Sequence, residues 1–143
     1  MKLSSSAFKN NDPIPRKYTC QGEDVHPELI IEDIPQEAES LVLIVDDPDA
    51  PGKVFDHWVA YDIPVTGKIG EGAMPGTQGV NDFRKSGYGG PCPPSGTHRY
   101  FFKLYALDER LNLPEGLGKG DVQKAVQGHV LDQAELIGVY SKG

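Results

Sequence analysis

The sequence has few of the residues that build metal and thiol chemistry. Its two cysteines, Cys20 and Cys92, lie far apart in the chain and form no CxxC pair. No HExxH motif is present either, so the usual sequence signatures of a zinc site are missing. We expect both cysteines to be reduced thiols, and the sequence leaves open the alternative of a single disulfide between them.

Long hydrophobic runs are also missing. No segment approaches the ~20 apolar residues that a membrane-spanning helix needs. The first residues, MKLSSSAFKNNDPIP, lack the apolar centre of a secretory signal peptide. These absences predict a cytoplasmic protein with no membrane insertion.

Positive charge is scarce. The chain has 14 lysines and arginines against 21 acidic residues, which gives a net charge of −7. Nucleic-acid-binding proteins carry a basic patch or stripe that neutralises phosphates, and no such stripe is present. The charge therefore argues against a nucleic acid and against an anionic membrane surface as partners.

The common nucleotide and nucleophile motifs are absent. There is no GxSxG elbow, no GxxxxGK[ST] phosphate loop and no strand–GxGxxG–helix unit. We therefore expect no cofactor. Cys92 remains as a nucleophile hypothesis, because a loop thiol can be activated by a histidine.

Glycine and proline are abundant, with 17 and 12 among 143 residues. The short apolar runs between them predict a mostly β fold in one domain, residues 1–143. Strands are predicted at 29–32, 40–46, 57–63, 97–107 and 135–140. A helix is predicted over 121–134 with Asp121 as its N-cap. Residues 65–96 are predicted to form a long, ordered loop region with a functional role.

Alternation along the predicted strands assigns side chains to faces. In 57–63, Val59, Tyr61 and Ile63 are predicted to share one face, opposite Trp58 and Ala60. The segment 97–107 is apolar on both faces, which is typical of a central, doubly covered strand.

A cluster of carboxylates follows the predicted strand 40–46, in the stretch DDPDAPGKVFDHW at 46–58. Asp47 and Asp49 imitate the start of a calcium loop, but Pro51 and Trp58 occupy positions that must supply oxygen ligands. A zinc site built from His57, His98 and an aspartate is a second alternative.

A donor-rich anion site is the third interpretation of these residues. His98 and Tyr100 are two apart on one strand, so their side chains point the same way. The preceding segment YGGPCPPSG is a stiff loop whose glycine N–H groups could face a ligand. Asp–His contacts favour the imidazolium form of a histidine, and imidazolium, tyrosine and amide donors suit a phosphate or carboxylate oxyanion. The opposing interpretation is that neighbouring carboxylates merely satisfy two histidines at strand starts.

Two long motifs resemble the signatures of the phosphatidylethanolamine-binding proteins. They are DDPDAP with HWVAYDIP, at 46–51 and 57–64, and GYGGPCPPSGTHRYFFKLYALD at 87–108. The segments GVNDF at 79–83 and QGHVL at 127–131 are similar to those of the prokaryotic, Raf-kinase-inhibitor-like branch. The resemblance covers nearly the whole chain and implies a two-sheet antiparallel β-sandwich-like fold with one main helix in the C-terminal half and small helices.

The resemblance also implies a pocket that binds phosphate-like anions. Its implied ligand-binding residues are Asp47, His57, Gly90, His98 and Tyr100. The residues implied to support the pocket are Asp49, Pro51, Pro91 and Pro93. A cis peptide bond, most readily formed before proline, is implied nearby.

Three functions follow as hypotheses. The first is a non-enzymatic protein that binds a phosphate-like or carboxylate anion and regulates a protein partner, a kinase or a protease. The second is a hydrolase or isomerase with His57 or His98 as general base. The third is a protein-interaction module with a vestigial pocket. The resemblance makes a homodimer plausible, and no metal is expected.

Overall fold

Two antiparallel sheets form the protein in the computed structural model, which describes all residues from Met1 to Gly143. The small sheet has the order β1-β2-β5, with β1 at Lys2–Ser4, β2 at Leu29–Glu32 and β5 at Lys68–Ile69. The large sheet has the order β6-β4-β3-β7-β8. Its strands are β3 (Ser40–Asp47), β4 (Phe55–Ile63), β6 (Thr77–Gln78), β7 (His98–Leu107) and β8 (Val130–Tyr140). The protein also has a 3₁₀ turn at Arg16–Tyr18 and one α-helix, α1, at Lys119–Val126. The predicted two-sheet, mostly β fold is confirmed.

The large sheet is covered on both faces, which explains the continuous apolar run of β3. Leu41, Leu43 and Val45 belong to the core that the small sheet covers. Val42 and Ile44 belong to a second core, which includes residues of α1. All eight residues of β3 are therefore buried, as expected for a central strand between two layers. The prediction that β7 is central is also confirmed, because β7 pairs with β3 and β8.

Two irregularities in the β3–β4 pairing change the faces of β4. One falls between Leu41 and Leu43, where Leu41 pairs with Ile63 and Leu43 with Ala60. The bulge places Ile63 in the core of Trp58 and Ala60, so the prediction that Ile63 shares a face with Val59 was wrong. An extra residue in one strand shifts the alternation by one position. Asp62 sits in this bulge with a φ of 49°.

The predicted helix 121–134 was wrong in its second half. Helix α1 ends at Val126, Gly128 has a φ of 83°, and Val130–Tyr140 forms β8. Ten residues of β7 pair with β8 along its length, and these ladder hydrogen bonds override the local helical pattern. Helix α1 has eight residues, and no helix of this chain is both long enough and apolar enough to cross a membrane.

The expectation of reduced thiols was also wrong. Cys20 and Cys92 form a disulfide with their Cα atoms 5.5 Å apart. The Cys20 N–H donates to the carbonyl of Pro91 at 3.1 Å, so tertiary contacts bring the two segments together. Distance along the chain could not reveal this proximity.

The implied cis peptide bond is absent, because every peptide bond in the structure is trans. Trans is the lower-energy isomer even before proline. In the proline-rich turn after β3, the N–H of Asp49 donates to Asp47 Oδ1 at 2.7 Å.

Candidate functional site

A cavity of about 210 Å³ lies where β3 ends and where β4 and β7 begin. We call it the strand-end cavity. Its polar side chains come from Asp47, His57, His98 and Tyr100. The remaining lining residues are mostly apolar: Ala50, Pro51, Phe55, Phe83, Cys92, Pro93 and Pro94. Antiparallel pairing explains this convergence, since the end of β3 adjoins the starts of both neighbouring strands.

His57 reaches this cavity because of the second irregularity in β4. Val45 pairs with Trp58 and Asp46 pairs with Asp56, so His57 is the extra residue between two pairs. Its ring packs edge-on against Tyr100, with centroids 5.2 Å apart. Its Nδ1 lies 2.7 Å from the carbonyl oxygen of Gly89. The bulge therefore turns His57 toward the face of the sheet that carries Trp58 and Tyr100. Regular alternation would have placed His57 on the other face, with Val59.

His98 and Tyr100 project from the same face of β7, as predicted, because they are two residues apart in a strand. His98 Nδ1 lies 2.6 Å from Asp47 Oδ2, and both side chains are almost fully buried. The other oxygen of Asp47 accepts the N–H of Asp49. Asp47 thus orients His98, whereas the contact partner of His57 is a backbone carbonyl.

The hydroxyl of Tyr100 is buried and donates to no acceptor in the protein, although the backbone N–H of Cys92 lies close enough to lower its pKa slightly. Only 1% of Tyr100 is exposed. Burial raises the pKa of this phenol, so the hydroxyl keeps its proton at neutral pH. An unpaired buried hydroxyl costs free energy, and here it belongs to a residue that lines a cavity.

Three of the implied residues, Asp49, Gly90 and Pro91, lie beside the cavity rather than on its surface. The carboxylate of Asp49 accepts three hydrogen bonds from Arg99, from its backbone N–H, its Nε and its Nη2, each at 2.9 Å. Arg99 accordingly lowers the pKa of Asp49 to about 2. Pro91 is buried behind the rim, where its carbonyl accepts the Cys20 N–H.

Gly90 does not border the strand-end cavity. Its N–H donates to Asp24 Oδ1 at 2.7 Å, and the N–H of Gly89 donates to the carbonyl of His57. The expectation of free glycine amides at these two positions was therefore wrong. A Cβ on Gly90 would collide with Asp24 Oδ1 and the Tyr18 carbonyl, so close packing is what requires glycine here.

Phe55 and Phe83 are lining residues that the site prediction missed. Their rings contact each other with centroids 4.8 Å apart, and both contact His57. Phe55 could have been found from alternation, because it lies two residues before His57. Phe83 depends on a loop whose Asn81 side chain accepts the N–H of Phe83 and donates to the carbonyl of Gly87; no periodic pattern indicates that geometry.

His57 is neutral by preference in this surrounding. Burial lowers its pKa, and contact with the Gly89 carbonyl and the charge of Asp47 only partly oppose that effect. Asp47 does favour the imidazolium form of His57, as expected, but desolvation of the charged ring outweighs the carboxylate and the net pKa is lowered.

Acid pH should destabilise the protein through His57. The unfolded chain binds a proton with the ordinary histidine pKa of about 6.5, while the folded chain binds it only at lower pH. Stability is therefore complete above about pH 6.5 and is lost as the pH falls through the folded pKa. We expect an NMR titration of His57 to give a midpoint below the ordinary histidine pKa of about 6.5. A midpoint at or above about 6.5 would contradict this assignment.

The alternative chemistries fare differently in the structure. Cys92 is bonded to Cys20, so it has no thiol to act as a nucleophile. The one group of three residues with ligand atoms close enough for a metal ion is Asp108, Glu109 and His129, a surface group away from the cavity. The zinc hypothesis at His57 and His98 therefore finds no matching geometry.

Comparison with known proteins gives consistent matches over the whole chain. The family model for phosphatidylethanolamine-binding proteins matches residues 4–141. A UPF0098 protein of Methanothermobacter thermautotrophicus is 49% identical, and the alignment covers 100% of both chains. A UPF0098 protein of Aquifex aeolicus is 47% identical over 99% of this chain and 89% of that protein.

Solved structures agree with the sequence matches. The crystal structure of a phosphatidylethanolamine-binding protein homologue from Chlamydia trachomatis superposes with a TM-score of 0.96 at 44% identity, covering 99% of this chain and 97% of the other. Escherichia coli YbcL, described as a member of the mammalian family, gives a TM-score of 0.91 at 27% identity, covering 99% and 98%.

Proposed function

Because the chain belongs to the phosphatidylethanolamine-binding protein family, we propose that it is a non-enzymatic protein that binds a small phosphate-like or carboxylate anion. The proposed site is the strand-end cavity. Asp47, His57, His98 and Tyr100 are its polar contacts, Pro51 and Pro93 form part of its wall, and Asp49 holds the adjacent turn.

The observation that carries this proposal is the hydroxyl of Tyr100. It is buried, its proton has no acceptor in the protein, and it belongs to a cavity-lining residue. Buried polar groups are nearly always paired in native proteins, and each exception calls for an explanation such as a missing ligand. A bound oxyanion that accepts a hydrogen bond from the Tyr100 O–H would explain this exception.

The two histidines complete the polar end of the site. The Nδ1 of each ring is engaged, by the Gly89 carbonyl in His57 and by Asp47 in His98. The Nε2 atoms are therefore left for a ligand. Phe55, Phe83 and the prolines make the rest of the wall apolar, which suits a small anion with an uncharged substituent.

A hydrolase or isomerase is the second candidate, and one contact favours it. The 2.6 Å contact between Asp47 and His98 is the arrangement in which a carboxylate orients a general base. Turnover of a phosphoester panel that disappears in His98→Ala would support the enzyme over the binding protein. Absence of turnover across the panel would favour the binding protein.

Regulation of a partner is the finer part of the proposal. We propose that a kinase or protease is controlled through the face that carries the cavity, and that the chain acts as a homodimer. Capture of the partner that requires His57 and His98 would support this role. Capture that survives His57→Ala and His98→Ala would instead favour an interaction module with a vestigial pocket, and light scattering decides the oligomeric state.

The proposed cytoplasmic location now has a specific test in the disulfide. Disulfides persist in oxidising compartments and, in hyperthermophiles, also inside the cell. Trapping Cys20 and Cys92 with an alkylating reagent in fractionated cells reports both the location and the redox state. Labelled thiols in the cytoplasmic fraction would mean that the bond is not formed there.

Substitution Tyr100→Phe should weaken anion binding without lowering the stability of the ligand-free protein. Removing the O–H should weaken phosphate binding by about 0.5–1.5 kcal/mol, the net value of a neutral hydrogen bond. The ligand-free variant should be at least as stable as the wild type, because it no longer buries an O–H that has no acceptor. Isothermal titration calorimetry and thermal unfolding measure the two effects.

The matched control is Tyr88→Phe. The hydroxyl of Tyr88 donates to the Tyr18 carbonyl at 2.7 Å, so its loss should lower stability by about 1 kcal/mol. Tyr88 does not line the strand-end cavity, and phosphate affinity should be unchanged. Equal phosphate affinity in Tyr100→Phe and wild type would mean that Tyr100 only packs.

A further inference from the structure

At His57 the strand-end cavity offers a ligand an acceptor rather than a donor. The carbonyl of Gly89 can only accept, so the 2.7 Å contact requires the proton of His57 to lie on Nδ1. A neutral imidazole carries one N–H, and its Nε2 then has a lone pair. In His98 the same reasoning places a proton on Nδ1, facing the carboxylate of Asp47. The ring of His57 contacts an uncharged carbonyl and is only 4% exposed, so it is the ring that presents a lone pair on Nε2, and the O–H of Tyr100 remains as a donor for a ligand.

The charges around His57 also disfavour a fully ionised ligand. Asp47 faces it from β3, Asp24 from the segment before β2, and His98 and Tyr100 lie across the cavity on β7. No lysine or arginine lines the cavity, and the nearby guanidinium of Arg99 is paired with Asp49. A fully ionised oxyanion would therefore meet the carboxylate of Asp47 and the lone pair of His57 with no lysine or arginine in return.

We infer that the strand-end cavity selects an oxyacid that still carries a proton, such as a phosphomonoester monoanion, over a fully ionised oxyanion. The ligand accepts the O–H of Tyr100 with one oxygen and donates its own P–O–H to Nε2 of His57. This inference rests on the proposed function, because it takes the cavity as an anion site and specifies the protonation state of the anion. The ligand class is thus set by a hydrogen bond that the ligand must donate.

Methyl phosphate and methyl sulfate form a matched pair of probes for this specificity. They have similar shapes, but the phosphate has a second pKa of about 6, whereas the sulfate is a monoanion without a proton to donate. Calorimetric titrations at about pH 6 and about pH 7.5 should show methyl phosphate losing about 15-fold in apparent affinity as its monoanion disappears. Methyl sulfate should bind at least tenfold more weakly than methyl phosphate at the lower pH, since a site that must pair a polar group rejects the analogue that cannot.

Imidazole ¹⁵N chemical shifts of the complex give an independent result. His57 should keep the pattern of a neutral ring with protonated Nδ1 when methyl phosphate is bound. An imidazolium pattern for bound His57 would overturn the inference, because the protein would then supply the proton.

The other outcomes separate this inference from the proposed function. Equal affinity for the two probes, or a parallel rise of both affinities on acidification, would overturn the inference while leaving anion binding intact. If neither probe, nor inorganic phosphate, nor acetate shifts the resonances of His57, His98 and Tyr100 at millimolar concentration, the proposed function fails and the inference fails with it.

Discussion

Loss of the Cys20–Cys92 disulfide is expected to lower the free energy of unfolding by about 4 kcal/mol. The bond joins residues 72 apart in the sequence, and closing a loop of that length in the unfolded chain removes entropy worth about this amount. Denaturant unfolding of the protein with and without reductant measures the difference. The same measurement on Cys20→Ser/Cys92→Ser should match the reduced wild type.

The position of this bond adds an expected loss of binding. Cys92 lines the strand-end cavity next to Pro93, and Cys20 anchors it to the segment that follows the 3₁₀ turn. Reduction frees this wall, so phosphate affinity should fall together with stability. The double serine variant should bind phosphate equally weakly with and without reductant, which separates the effect of the bond from any effect of the reductant. Unfolding curves that coincide for oxidised and reduced wild type would contradict the expectation.

Substitution Asp47→Ala is expected to cost about 3 kcal/mol of stability. It removes a hydrogen bond between a buried carboxylate and His98, and it also removes the acceptor of the Asp49 N–H. Hydrogen bonds to charged groups contribute about 1.5–3 kcal/mol, and breaking a buried pair leaves the partner unsatisfied. Because Asp47 is only 3% exposed, water does not readily replace it.

Asp49→Asn and Asp47→Asn are informative controls. Asp49 and Arg99 form a partly exposed pair, so Asp49→Asn should cost no more than about 1 kcal/mol. Asp47→Asn keeps the shape but can present an N–H to Nδ1 of His98, which then becomes an acceptor and places its proton on Nε2. A tautomer change of His98, visible in its ¹⁵N shifts, is expected in Asp47→Asn but not in Asp49→Asn. If Asp47→Ala is as stable as Asp49→Asn, the Asp47–His98 pair contributes nothing to the fold.

The linear pattern of residues was sufficient for β2, β3, β4 and β7, but it missed β1, β5, β6 and the first half of β8. The apolar run of β3, the double-faced β7 and the two signature motifs determined the strands and the family, because period-two burial and contiguous motifs are local properties. They also brought His98 and Tyr100 to one face, as two positions on one strand must be. Asp47 is the last residue of β3, one residue beyond the predicted end of that strand, and Asp49 lies in the turn that follows.

What each site residue touches was decided by the tertiary structure alone. The β4 bulge turned His57 into the cavity and gave it the Gly89 carbonyl, so that its burial, rather than an aspartate, dominates its charge. The N–H of Gly90 donates to Asp24, and Gly90 packs closely against the Tyr18 carbonyl, so this amide does not reach a ligand. The β7–β8 ladder replaced the second half of the predicted helix. The disulfide joined two segments 72 residues apart. Each of these contacts links residues distant in the chain, and their free energies outweigh local preferences that a single segment of sequence can express.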